Sequence, residues 1–385
     1  MKPANENTLV NIVDEFDYST QNDFYNDKFI RWRRRNNNPF SFRFEMNKKE
    51  TVYVDGRGFL SSSPTVAEMD TLTRIFYIIG MACLLWVVIE NILGRVAIIA
   101  LSMLGINIHN NFFSTMIYGG SSEIVSVILI VSCMKMLIPT FYLHKRFKLP
   151  GVVEFMSSMN DPGGMISAIA LSFITCTAVS LPTAYSNETR EILYYFRNLD
   201  TDVQLWDQTD FVLYIVFDLL VIPFLSELFF RGAMFAVLRQ FGDAFAIIMT
   251  SLTAALLVQD IREFPIIFLI SIVASYGMLR SGTIFTAVAV RIIEKMYMFA
   301  LVMLEIGGTE KTFLTRNLFM LGVLVSGILF FLVEWLISRR KKRHYFAKFD
   351  SELTPPERIS HCIKVFPYSA VLMICLVYII VRVVL

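Results

Sequence analysis

Apolar residues in this chain come in long unbroken runs, not at the spacing of a single helix face. A helix rising about 1.5 Å per residue needs roughly 20 apolar residues to cross the hydrocarbon layer. Runs of that kind occupy about 75–104, 123–143, 163–185, 209–238, 243–259, 264–280, 284–305, 317–337 and 366–384, so eight or nine spans are expected. The first run is longer than a crossing needs and contains Glu90, Asn91 and Arg95. It is expected to divide into a span and an interfacial segment. Residues 1–70 break the pattern and form a polar arm. Within it Phe40–Met46 and Thr51–Val54 alternate apolar with polar around Asn47-Lys48-Lys49-Glu50, which predicts a small β-hairpin. The expected fold class is therefore all-α, a polytopic membrane helix bundle. Four regions follow along the chain: the arm (1–70), leading transmembrane helices (71–160), a core (161–305), and C-terminal transmembrane helices with a basic loop (306–385).

Composition agrees with that reading. The chain is 55% hydrophobic and 18% charged, where a soluble domain has roughly 25% charged residues. The net charge of +2 matters less than where the charges lie. Lys and Arg crowd the arm, the loop His144–Lys148 and the stretch Arg339–Arg343, while 106–121 has none. Positive-inside bias then puts the N-terminus and the basic loops in the cytoplasm, and an odd number of spans puts the C-terminus outside. The expected location is the plasma membrane, and the Asn-, Lys-, Phe- and Ile-rich composition fits a low-GC, Gram-positive bacterium. No cleavable signal peptide is expected, because the first apolar run begins near Ile75. The basic–aromatic cluster Arg31-Trp32-Arg33-Arg34-Arg35 reads as an arm touching anionic lipid, not as a nucleic-acid site. Membrane lipids are thus expected partners, and nucleic acid is not. The five cysteines lie in or beside apolar runs without CxxC spacing and read as packing residues.

Ionisable side chains inside a membrane span are costly and mark candidate functional sites. Between 209 and 300 they gather: Asp218, Glu227, Arg231, Asp260, Arg262, Glu263, Arg291, Glu294 and Lys295. Glu227 and Arg231 are spaced i,i+4, as an ion pair on one helix face requires. Around them runs Ser226-Glu227-Leu228-Phe229-Phe230-Arg231-Gly232. This segment resembles the EELFFRG motif of the CPBP family, the CAAX-protease and bacteriocin-processing group also called the Abi domain. The family pattern is EExxxR on one helix, FxxxH on the next and HxxxN two helices later. Here Ala255 and Gln259 fall at the Phe and His places of the second motif. Leu279-Arg280-Ser281-Gly282-Thr283-Ile284 is similar to the family's LRTGSL entry to the third motif, which places Arg291 at the His and Lys295 at the Asn. The resemblance covers about 160–305 and implies a CPBP/Abi-like core. Helix lengths agree: about 21 Å down from Ser226 to Gln240 and about 24 Å back from Asp243 to Gln259 return the chain to one depth.

The resemblance implies intramembrane peptide cleavage in which the first Glu activates water, while the His and Asn places bind water or metal or stabilise an oxyanion. The residues here depart from that chemistry. Ser226 is no general base by itself, Gln259 carries no titrating proton, and Arg291 and Lys295 are cations, not zinc ligands. His109, His144, His344 and His361 all lie outside the motif region. No metal and no cofactor are expected. The replacements make the pocket about three charges more positive, so an ion-pair lattice is expected, with Glu227, Asp260 and Glu294 as counter-ions. Alternatives are an anion site on Arg291 and Lys295, and a Ser226–Lys295 nucleophile–base pair. The expected function is a non-catalytic membrane scaffold or regulator that holds a single-span or lipidated partner in the groove where the family holds substrate. One alternative is an active peptidase with shifted residues, Asp260 serving as base. Another is a lipid or solute transporter.

Overall fold

The computed structural model describes residues 23–35, 38–42, 51–54, 58–61, 64–110, 116–181, 206–305, 310–338 and 353–384. It is an all-α bundle with two short hairpins. A first helix, α1 (Asp23–Arg34), precedes a hairpin of β1 (Thr51–Val54) and β2 (Gly58–Ser61), with Thr51 opposite Ser61. The hairpin expected from the sequence is thus displaced by one strand. Thr51–Val54 is its first strand, Phe40–Phe42 is not a strand, and 43–50 lie outside the described residues. Next come α2 (Pro64–Val88) and α3 (Gly94–Met103), joined without a break by a π turn at Ile89–Leu93. The Glu90–Asn91 stretch widens the helix there and does not end it. A second hairpin, β3 (Ile108–Asn110) with β4 (Ile117–Gly119), leads into α4 (Ser121–Phe147) and the short α5 (Gly151–Glu154).

Helix α6 (Pro162–Val179) opens on Asp161, whose carboxylate accepts from the Gly163 N–H, with Pro162 at the first helical position. Then follows a long bent rod: α7 (Gln208–Val216), a π turn at Phe217–Val221, α8 (Ile222–Glu227), a π segment at Leu228–Phe235 and α9 (Ala236–Leu238). Gly242 turns the chain at φ 98° into α10 (Asp243–Leu257). Gly282 ends α11 (Phe264–Ser281) in the left-handed conformation that glycine adopts without strain. Helices α12 (Ile284–Glu305), α13 (Glu310–Ser338), α14 (Pro355–Lys364) and α15 (Tyr368–Val384) complete the chain.

Among the described residues six helices are long and apolar enough to cross a membrane, or seven if the bent pair α14–α15 is one span. The expected eight or nine exceeds this for two reasons. Helix α10 has only 15 residues. Helix α12 is long enough, but Arg291, Glu294 and Lys295 interrupt its middle.

Small residues let the helices approach. A Cβ on Gly277 of α11 would lie 2.5 Å from the Ala168 Cβ of α6, and one on Gly164 would lie 2.7 Å from the Ser281 nitrogen. Close backbone approach of this kind carries helix association where lipid tails are as apolar as leucine. A polar tie reinforces it: Arg280 of α11 donates at 2.6 Å to both Glu334 oxygens of α13 and at 2.7 Å to Ser167 of α6. The basic ends of the helices gather at this same end of the bundle, with Arg239, Arg280, and the Lys145–Arg146–Lys148 tail of α4.

Candidate functional site

The rod α7–α9 carries the motif, and its two π segments decide which side chains point inward. Asp218 lies in the first, Glu227 closes α8, and Arg231 lies in the second. Glu227 is fully buried. Its Oε1 accepts a 3.1 Å hydrogen bond from Arg231, whose other terminal nitrogen donates to the Ser271 carbonyl of α11 at 2.6 Å. Arg291 of α12 brings its Nε to 3.7 Å from Glu227 Oε1 and a terminal nitrogen to 3.2 Å from Glu294. One turn on, Lys295 Nζ sits 3.3 Å from both oxygens of Asp218. Arg231, Glu227, Arg291 and Glu294 therefore form a chain of alternating charges between two elements, the motif rod and α12, with the Lys295–Asp218 pair one turn on. Buried charges persist only when paired this way, because removal from water costs several kcal/mol per ion.

Asp218, Arg231, Arg291, Glu294 and Lys295 line one cavity of about 710 Å³, and Glu227 lies behind its wall. Its far wall holds a second ion pair, Lys135 Nζ of α4 to Glu90 Oε1 at 2.6 Å, with Trp86 beside it. Glu263, at the entry to α11, also lines the cavity. Around the rod, α12 and the entry to α11, four carboxylates (Asp218, Glu227, Glu263, Glu294) stand with four cations (Arg231, Arg262, Arg291, Lys295), so the charges balance.

The remaining motif places are arranged differently. Ser226 lines the cavity, but its hydroxyl donates back to the Pro223 carbonyl at 2.9 Å. Gln259 is buried at a left-handed φ of 57°, and it does not line the cavity. Its Oε1 accepts from Asn91 Nδ2 of the first π turn at 3.4 Å, and its Nε2 is buried without a partner. Asp260 caps its own turn, accepting from the Arg262 N–H at 2.8 Å. The counter-ion of Lys295 is Asp218, a residue the sequence places among the ionisable groups but not in the site. Glu90 and Lys135 were missed too. The signal that points to them is a charge inside an apolar run.

A metal does not fit here. Ser226 is committed to its own backbone, Gln259 faces away, and Arg291 and Lys295 present positive charge. Among the described residues no three His, Cys, Asp or Glu side chains converge to hold an ion.

Fold and site together define a polytopic helix bundle built round a buried, charge-paired cavity. The family model described as type II CAAX prenyl endopeptidase Rce1-like matches residues 208–297, from α7 into α12, in keeping with the resemblance of the motif to the CPBP pattern. Every residue of the ion-pair chain falls inside it. No curated protein and no solved structure matches the chain.

Proposed function

We propose that this CPBP-type protein is a non-catalytic scaffold or regulator of the membrane. In this reading the cavity between α4, the motif rod and α12 receives a segment of a single-span or lipidated membrane partner. The observation that carries it is the engagement of the motif places: Arg291 and Lys295 are tied to Glu227, Glu294 and Asp218, and Ser226 is turned onto Pro223. A general base needs a titrating group aimed at the reacting atom, and an oxyanion site needs aimed donors. Neither is left among these four places. The volume of about 710 Å³, with an apolar wall and paired charges, suits a short stretch of helix or an acyl chain. Plasma-membrane placement with a cytoplasmic N-terminus belongs to the same proposal, supported by the basic helix ends that share one side.

Affinity capture of the full-length protein from native membranes tests this. A single-span or lipidated protein co-purifies with wild type and is lost with Val179→Trp, which fills the cavity from its half-buried rim. If wild type instead shortens a transmembrane or prenylated peptide, and Val179→Trp stops it, the protein is a peptidase with shifted residues and the scaffold reading fails.

A further inference from the structure

The motif cavity is not centred in the bundle. Helices α6 and α11 run antiparallel, since Gly164 meets Ser281 and Gly277 meets Ala168. The last turn of α6 and the first of α11 therefore share one end of the bundle, about 27 Å from the Ser281 end at 1.5 Å for each of 18 residues. The cavity keeps to that end. On α11 it touches Pro265, Ile266, Ile267 and Ser271, all in the first half of the helix, and on α6 it touches Ala178 and Val179 at its close. Helix α10 contributes Ala254 and Leu257, again from its last turn. Among the described residues that line it, none comes from the basic end, neither Arg239 and Arg280 nor Lys145–Lys148.

Burial is graded in the same direction. Leu181 and Ile261 line the cavity and are 51% and 48% exposed, so its mouth lies where α6 ends and where α10 passes to α11. Phe230, Arg231 and Ser271 line it too and are buried, so they form its floor. Ser271 lies about 10 Å along α11 from its start. That floor carries an unmet hydrogen bond. The Ser271 carbonyl accepts from Arg231 at 2.6 Å and from Ser275 Oγ at 2.9 Å. Its own Oγ is buried with no hydrogen-bond partner among the described residues. A buried hydroxyl left in this state costs free energy, which a polar group on a ligand recovers.

We infer that the occupant of the cavity enters from the membrane face opposite the basic ends, the extracytoplasmic one, and that it is the outer half of a single transmembrane helix with a hydroxyl or amide side chain reaching Ser271. That there is an occupant rests on the scaffold reading, and the naming of the face rests on the cytoplasmic placement of the basic ends. A depth of about 10 Å takes roughly two turns of helix and stays within the roughly 15 Å of hydrocarbon that one leaflet supplies. An acyl chain of the same leaflet covers the apolar wall but leaves Ser271 Oγ unmet, so a helix with a polar side chain is the better fit. A partner whose lipid sits in the cytoplasmic leaflet, level with Lys148, does not reach the mouth.

Single cysteines in the full-length protein report the side of entry. Ile261→Cys and Leu181→Cys are expected to react with a membrane-impermeant maleimide on intact protoplasts, and Lys148→Cys only after permeabilisation. Wild type is the blank, with Cys83, Cys176, Cys362 and Cys375 buried and Cys133 half-buried. Labelling of all three from one face overturns the outer entry, whatever the cavity holds. The photoreactive residue p-benzoylphenylalanine at position 261 reports the occupant. The expected crosslink maps to the outer half of a partner's single span. Ser271→Ala lowers its yield about threefold, the usual contribution of one hydrogen bond between membrane helices, and leaves the maleimide pattern unchanged. A crosslink to the inner half of a span or to lipid, or no crosslink, overturns the occupant, and an unchanged yield with Ser271→Ala overturns the polar contact. A crosslinked partner recovered in shortened form overturns the scaffold reading instead, while its mapped position still supports entry from outside.

Discussion

Glu227 has two guanidiniums within 4 Å and is fully buried, so its carboxylate is held by their charge and by the hydrogen bond from Arg231. Glu227→Ala strands Arg231 and Arg291 in the interior. Truncating one partner of a buried ion pair costs about 3–5 kcal/mol, and the expected result is a lower unfolding midpoint in detergent. Glu227→Gln, which keeps the hydrogen bond to Arg231, is expected to lose less. Gln259 makes a sharper point about chemistry. Its side chain meets Asn91 and not the cavity, so Gln259→His places an imidazole away from Ser226. No peptidase activity is expected from that substitution, alone or with Ser226→Glu, in a fluorogenic peptide assay. Much of this site was legible in sequence: Ser226–Gly232 gives the motif, and the i,i+4 spacing gives the Glu227–Arg231 pair. Asp218 was not. It lies nine residues before Glu227, two and a half turns of a regular helix, which places it on the far side. Only the π turn at Phe217–Val221, which takes up an extra residue, brings it round to Lys295. An apolar run hides a widened turn, because its residues read the same in either geometry.

At the scale of elements, the π turns form a set. The three π segments among the described residues each deliver polar side chains to this region: Glu90 and Asn91, then Asp218, then Arg231. Widened turns recur at functional sites because they release backbone and re-aim side chains. The α6–α11 crossing is the second element-scale feature. Gly277→Leu forces a side chain into a gap that Ala168 and Thr286 already fill. Overpacking of this kind typically costs about 1–3 kcal/mol, and the variant is expected to lose its sharp size-exclusion peak or unfold at lower temperature. Between α4 and the motif rod, α5 carries Glu154, which contacts His144, while its carbonyl sits against Gly232. Burial pushes the Glu154 carboxyl above the usual carboxylate range, against the opposing pull of His144. A folded-state value raised above the unfolded one gives stability that is present at low pH and fades as pH rises through the raised value. Unfolding midpoints should therefore fall as pH rises above about 4.3, the unperturbed glutamate value. Glu154→Gln should flatten that slope, and an unchanged slope would assign it to another group.

Across the whole molecule, the arm is less separate than its polar sequence suggests. Tyr25, Phe29 and Trp32 are buried, and Arg33 is turned inward to donate to the Phe42 carbonyl at 2.9 Å. The basic cluster 31–35 thus divides, with Arg31, Arg34 and Arg35 outside and Trp32 and Arg33 inside. Sequence reading treated it as one charged run, because a helix only 12 residues long gives little periodicity to separate its faces. Trp32→Ala removes both an apolar anchor and a bond to α4. Loss of a large buried aromatic costs about 3–5 kcal/mol, and limited proteolysis should then cut earlier near residues 35–42 than in wild type. The class of fold and the central motif were readable from apolar runs and one signature. The number of crossings was readable only roughly, because among the described residues α10 is short and α12 carries charges in its middle.

The seat of the arm also constrains the order of assembly. Trp32 bonds a carbonyl 115 positions later, and Arg239, 214 positions beyond Tyr25, donates to that ring's hydroxyl at 3.2 Å. Glu68 waits longer still for Arg358, 290 positions downstream. A chain made from its N-terminus therefore emits its first helix well before the surface that receives it exists. At about 5–20 residues per second, the interval to residue 239 alone is on the order of ten seconds or more. Apolar Tyr25, Phe29 and Trp32 face water or the bilayer surface throughout that interval, so the beginning of this protein closes onto its middle only after most of the chain has been made, and the Glu68–Arg358 tie comes later still.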